Sequence, residues 1–238
     1  MAKIYKSNPL ILNETRDYLD GLMISDGHIH CANSMTGYYH QLCKEKKWLD
    51  KINEDLYEYG VESKVNNGRL CIGDWQPDGG SLSYSIQTCS YIEFNEVHDR
   101  WYKPWYDIDN YSKYFWHKDE DGEYFIWQKV VPKDICLSPE CVANWYLGDG
   151  STTKKTYRDG YQTQLATNGF LREDVEFLLE LLSEVLDIKC GVNKRKVIQI
   201  SSQANIITFL NYIKDYEVDC YAYKFPDKLM NNIKENIL

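Results

Sequence analysis

Leu19–Gly27 reads LDGLMISDG, and Val142–Gly150 reads VANWYLGDG. Both stretches are apolar and helix-like, both carry a small residue at their seventh position (Ser25 and Gly148), and both end in Asp-Gly. The carboxylates are those of Asp26 and Asp149. In the first copy Gly21 and Ser25 lie four residues apart, as do Asn144 and Gly148 in the second, so each pair shares one helix face. Small side chains on such a face let two helices approach closely. A motif present once per half predicts a pseudo-symmetric molecule whose motif helices pair at its centre and bring two carboxylates together. Gly27 and Gly150 suit helix C-termini.

The segments around each motif repeat one order. After the first come strand-like His28–Ala32 and Tyr38–Cys43. A helix follows with Trp48, Leu49, Ile52, Leu56 and Tyr59 at helical spacing and Gly60 as its cap. A hairpin is expected at Asn67-Gly68, an alternating strand at Ser83–Cys89, and a helix from about Ile92 to Tyr102, ended by Pro104. The second motif helix, Pro139–Leu147, leads to strands Ser151–Tyr157 and Tyr161–Thr167. The amphipathic helix Leu171–Leu186 comes next, then strands Lys189–Val192 and Val197–Ser201 and a final helix Ala204–Ile213. Each half reads αββαββα. The fold class is α+β: two pseudo-symmetric halves forming a saddle of antiparallel sheets over two central motif helices. The halves are residues 1–131 and 132–238, the first including an aromatic insertion at about 101–127, whose rings either stack on bases or, the reading taken here, build a small packed unit joining the halves. On the open faces of the sheets, His28 and His30 alternate with Ile29 and Cys31, and Gln162 and Gln164 alternate with Tyr161, Thr163 and Leu165. A polar ribbon of this kind can read base edges in a groove.

The chain has 238 residues, a size that suits one large domain or two small ones. No apolar run is long enough to span a membrane, and no secretory signal is visible at the N-terminus. The eight cysteines form no Cys-x-x-Cys pair and are read as buried free thiols of a reducing, intracellular compartment, cytoplasmic or organellar. The net charge of −9 argues against a surface that binds nucleic acid all over. The charge is uneven: residues 1–130 carry 14 Lys and Arg against 21 Asp and Glu, and residues 131–238 carry 13 against 15. Lys154, Lys155 and Arg158 cluster after the second motif, and Lys194, Arg195 and Lys196 cluster later. A basic face beneath an acidic back reconciles these numbers, with those six residues as phosphate contacts. His28, His30, Gln162 and Gln164 complete the expected DNA contacts. The other histidines, His40, His98 and His117, are scattered in sequence, so His28 and His30 are read as DNA-contacting or packing groups rather than metal ligands.

Two carboxylates converging on two helix C-termini, each carrying about half a negative elementary charge, repel one another and any phosphate between them. Mg²⁺ resolves this conflict, since hard cations take carboxylate, carbonyl, water and phosphate oxygens. Asp26, Asp149 and the neighbouring Ser25 and Gly148 form the expected metal site. Mn²⁺ is expected as a substitute, and Ca²⁺ as an inert occupant of the same site. Both motifs resemble the signature helix of the LAGLIDADG homing endonucleases, through Leu19, Gly21, Leu22, Asp26 and Gly27 in one copy and Ala143, Asp149 and Gly150 in the other. The likeness is to monomeric, two-motif members. The chain differs from the motif at Ile24 and Leu147, and has polar Asp20 and Asn144 where small apolar residues are usual. The family places a lysine after each unit, and Lys129 in KVVP and Lys224 in YKFP match that element. The resemblance thus implies catalytic roles for Asp26, Asp149, Lys129 and Lys224. It implies a Mg²⁺-dependent, site-specific endonuclease that cuts a long asymmetric duplex and leaves short 3′ overhangs. The ends of the chain carry no intein splicing signature. An RNA maturase that contacts intron RNA, or a non-catalytic DNA-binding protein, would use the same scaffold.

Overall fold

The computed structural model describes residues 5–31, 35–71, 81–105, 117–118, 124–156 and 160–235. The first half runs α1 (Arg16–Ile24), β1 (His28–Cys31), β2 (Gly37–Cys43), α2 (Lys46–Glu58), β3 (Ser63–Cys71), β4 (Ser81–Thr88) and α3 (Glu93–Trp101). Short strands β5 (Tyr102–Trp105), β6 (His117–Lys118) and β7 (Tyr124–Lys129) follow. The second half runs α4 (Pro139–Asp149), β8 (Gly150–Lys154), β9 (Tyr161–Leu165), α5 (Arg172–Leu186), β10 (Gly191–Val192), β11 (Ile198–Ile200) and α6 (Gln203–Ile213). A further helix, α7 (Asp227–Glu235), is one that the apolar spacing did not signal.

The duplication extends to sheet topology. The first sheet has strand order β1-β2-β4-β3 and the second β8-β9-β11-β10, the same order element for element, with every pairing antiparallel. Apolar side chains on one face of each sheet meet the helices. Ile29, Tyr39 and Ile86 are buried in the first sheet, and Leu165, Ile198 and Ile200 in the second. They pack with Trp48, Leu49, Ile52 and Leu56 of α2 and with Val175, Leu178 and Leu182 of α5 in one continuous core. Each fully buried aliphatic side chain contributes about 1.5–3 kcal/mol.

Several local expectations are corrected. Asn67-Gly68 is no hairpin turn: β3 runs through it, with a register shift between Asn66 and Arg69 that marks a bulge. A Cβ at Gly68 would sit 2.8 Å from both Leu82 and Tyr84, so glycine serves a close strand approach here. Pro104 does not simply end α3, which stops at Trp101. It sits in β5, an edge strand, where its missing N–H is tolerated. Gly60 caps α2 with φ +70, as expected. Gly27 and Gly150 are not among the positive-φ glycines. A Cβ on Gly27 would lie 2.6 Å from the Leu22 carbonyl oxygen, and one on Gly150 would collide with the Tyr146 ring. The cysteines are free but mostly not buried: of the seven described, only Cys141 is fully buried, and Cys31 and Cys136 are exposed. Most of the aromatic insertion lies outside the described residues.

Candidate active site and nucleic-acid face

The motif helices α1 and α4 pack along their small-residue faces. A Cβ on Gly21 would collide with the Cys141 carbonyl oxygen and lie 2.8 Å from the Asn144 Cβ. A Cβ on Gly148 would lie 2.5 Å from Ser25 Oγ. Gly21 and Asn144 hold equivalent places in the two motifs, as do Ser25 and Gly148, so the seam pairs each small residue with its own pseudo-symmetric counterpart. Asn144 fits because its Nδ2 donates to the Tyr18 carbonyl at 3.3 Å. Asp20 is absent from the seam. It is buried against α3, where Arg100 pairs with both its oxygens, one at 2.8 Å, and Trp101 Nε1 donates to it at 3.0 Å. Both polar departures from the motif are thereby accommodated without opening the helix pair.

At the end of this seam Asp26 reaches solvent and Asp149 is half-buried. Burial and the neighbouring Asp26 push the Asp149 carboxyl up to about 6, against the pull of Lys129 and Lys224. Partial burial also raises Asp26, again opposed by the two lysines. Each lysine serves the helix end of its own half. Lys129 Nζ donates to the Gly27 carbonyl at 2.7 Å and to the Ser25 carbonyl at 3.3 Å. Lys224 Nζ donates to the Leu147 and Tyr146 carbonyls at 2.6 and 3.2 Å. Burial lowers both ammonium groups to about 8, and Asp149 leads the opposing charges in each case. These bonds place positive charge where two helix dipoles end. An ammonium has three protons, so one on each lysine is left to face a substrate.

The donor set suits a hard divalent cation: two carboxylates, backbone carbonyls and no soft ligand. The Ser25 carbonyl, one of the expected metal donors, already accepts from Lys129, while Ser25 Oγ donates to Leu22 O at 3.0 Å. Gly148 lies against Ser25 at the base of the seam. The sequence gives no hint of a pair beneath Asp26: Tyr39 OH donates to Gln41 Oε1, and the buried Gln41 Nε2 lacks a protein partner. Only strand pairing puts β2 beside the motif end.

The open faces of the two sheets carry His28, His30, Tyr38, His40 and Gln87 on one side and Ser151, Thr153, Gln162, Gln164 and Gln199 on the other. None of the eight strands in these sheets contains Asp or Glu, while Lys64, Arg69 and Lys154 lie within them. The covering helices carry exposed acids on their outer sides, at Glu54 and Glu58 of α2 and Glu173, Glu176, Glu180 and Glu184 of α5. Of the expected basic contacts, Lys154, Lys194 and Arg195 are exposed. Lys155 donates to the Ser201 carbonyl at 3.0 Å. Lys196 has φ 60 and its ammonium donates to the Phe170 carbonyl, so it braces a turn instead of reaching outward. Arg158 lies outside the described residues. Burial lowers His28, to about 4, with His30 and His40 adding to the shift.

Residues 107–209 match the LAGLIDADG DNA endonuclease family. An uncharacterized protein of Methanocaldococcus jannaschii is 22% identical over 219 residues, which is 90% of this chain and 74% of that protein. A probable intron-encoded endonuclease of Wickerhamomyces canadensis is 30% identical over 122 residues, 46% of this chain and 52% of that protein. A cytochrome b mRNA maturase of Debaryomyces hansenii is 28% identical over 147 residues, 58% of this chain and 45% of that protein. The chain thus spans about half of these last two relatives. The solved structure of the homing endonuclease I-WcaI bound to its DNA recognition sequence superposes with a TM-score of 0.66 at 17% identity, covering 93% of this chain and 88% of that one. With both motif helices in place, the fold and site define a two-motif helix-pair protein of mixed α and antiparallel β structure. The match to the LAGLIDADG DNA endonuclease family runs over residues 107–209 and so takes in the second motif helix. None of its described helices is long and apolar enough to cross a membrane.

Proposed function

We propose that this protein is a site-specific double-strand DNA endonuclease. On this reading it acts as a monomer of two halves, residues 1–131 and 132–238, and cuts one phosphodiester in each strand of an asymmetric duplex to leave short 3′ overhangs. The observation that carries the reading is the meeting of Asp26 and Asp149 at the ends of two close-packed helices, each end braced by its own lysine. Asp26 and Asp149 would hold Mg²⁺, which when bound supplies Lewis-acid polarisation of a phosphate and lowers the pKa of a water. The free proton of Lys129 or Lys224 donates to a phosphate oxygen as charge develops there. The acid-free faces of the two sheets accept the duplex, with Lys154, Lys194 and Arg195 on its phosphates and Gln162, Gln164 and the histidines at base edges. The likeness to a maturase supports a second reading, assistance of intron splicing, which needs neither carboxylate.

The test uses a target selected from a randomised duplex library with Mg²⁺ present. Asp26→Asn and Asp149→Asn should each abolish double-strand cleavage while leaving binding of that target in Ca²⁺ intact. Full cleavage by either variant would remove the aspartate pair from the mechanism. Splicing assistance that survives in the double variant would favour the maturase reading.

A further inference from the structure

Three of the five histidines, which the sequence scatters over thirteen residues, come together on the open face of the first sheet. His28 and His40 are cross-strand partners, and His30 lies two residues along from His28 on the same face. One nitrogen of each imidazole lies within 4.8 Å of the others, and His28 Nε2 is 3.1 Å from His40 Nδ1. Two nitrogens held about 2.0–2.1 Å from one tetrahedral ion are separated by about 3.3 Å, so this pair already stands at ligand spacing. The rings of His28 and His30 meet edge-on with centroids 4.5 Å apart, and those of His28 and His40 at 4.8 Å. Three clustered imidazoles gain little from mutual packing on an exposed face, but they match the donor set of a borderline divalent ion.

We propose that His28, His30 and His40 form a second metal site, selective for Zn²⁺ and its neighbours Co²⁺, Ni²⁺ and Cu²⁺, separate from the carboxylate pair at the helix ends. Imidazole suits these ions, whereas Mg²⁺ prefers oxygen donors. Burial lowers the pKa of His30 and His40, which keeps both rings in the neutral, ligand-competent form at neutral pH. In the metal-free protein one ring donates an N–H to the other across the 3.1 Å contact. Binding moves that proton to the donor ring's outer nitrogen, so each ring stays neutral and no proton is lost. His30 is exposed, so the fourth position of a tetrahedral ion opens towards solvent, where water completes it. The site does not depend on the nuclease reading, because it uses neither aspartate.

The full-length protein is titrated with Zn²⁺ against a chromophoric chelator in millimolar Mg²⁺, and with Co²⁺ by its visible absorption. The expected result is one tight equivalent per chain, kept in the Asp26→Asn/Asp149→Asn double variant. Affinity should fall about tenfold or more in His30→Ala and in His40→Gln. In the wild-type protein, Zn²⁺ should shift the imidazole NMR resonances of three histidines and leave those of the other two. Unchanged affinity in both histidine variants would overturn the proposal, as would loss in Cys31→Ser or displacement of the ion by Mg²⁺. Shifts at His98 and His117 in place of the trio would overturn it as well.

Discussion

The seam between α1 and α4 is decided by single atoms. Gly148 admits no Cβ while Ser25 stands opposite, and Gly21 admits none against the Cys141 carbonyl. Gly148→Ser should therefore destabilise the protein by about 1–3 kcal/mol, the usual cost of overpacking. Exchanging the pair, Ser25→Gly with Gly148→Ser, moves the larger side chain across the pseudo-twofold axis and should recover most of that loss in thermal denaturation. A double variant no more stable than Gly148→Ser alone would show that the clash is not local. Asp20 presents the opposite situation, a carboxylate wholly enclosed. Burial raises its pKa despite the Arg100 fork and the Trp101 indole, so its charged form survives only through those donors. Arg100→Ala leaves that charge unpaired and should cost about 3–5 kcal/mol at pH 7. The variant's Asp20 would titrate higher still. Its folded state then holds a proton that the unfolded state has released, and stability falls as pH rises from the ordinary carboxylate pKa through that window. Below pH ~4 both states are protonated, and the deficit should narrow. A pH-independent deficit in urea denaturation would assign the loss to packing alone.

At the level of elements, period and spacing were legible where a helix or strand meets the core. The α2 stripe, the α5 stripe and the alternation of β9 each appear within two residues of the expected bounds. Asn67-Gly68 misled because its turn chemistry is equally that of a bulge, and only the partner strand decides between them. The helix α7 escaped because it follows a Lys-Phe-Pro segment that reads as a terminus. The histidine trio escaped because strand pairing, unlike helical spacing, joins residues at arbitrary separations. The two aspartates and two lysines were visible because duplication marks them twice. The turn between β10 and β11 shows the limit of reading charge runs: Lys194, Arg195 and Lys196 are consecutive, but only the first two are exposed. Lys194→Ala and Arg195→Ala should each reduce the slope of log binding constant against log salt by about one unit. Lys196→Ala should leave that slope unchanged and lower the melting temperature, because it frees the Phe170 carbonyl. A slope change in Lys196→Ala with no loss of stability would reverse this assignment.

The whole molecule joins two halves of one topology that have different surfaces. A net charge of −9 does not conflict with a DNA-binding face, because none of the eight strands in the two four-stranded sheets contains Asp or Glu, and exposed acids such as Glu54, Glu58, Glu173 and Glu176 lie on the helices behind them. The first sheet presents imidazoles and a phenol, and the second presents hydroxyls and carboxamides. A protein made of identical halves would select a palindrome, whereas these two faces cannot recognise the same bases. The target recovered from a randomised duplex library should accordingly be non-palindromic about the cleavage centre. Gln164 pairs with Ser151 and Gln199 in the middle of the second sheet, and its side-chain amide donates to Gln162 Oε1 at 3.4 Å. Removing its amide should leave the fold intact and forfeit one carboxamide–base contact, worth about 1–3 kcal/mol of discrimination. Selection repeated with Gln164→Ala should therefore relax one or two adjacent positions on a single side of the cut and leave the other side as stringent as before. Relaxation on both sides would show that the two sheets do not read separate half-sites. A palindromic wild-type target would refute the asymmetry itself.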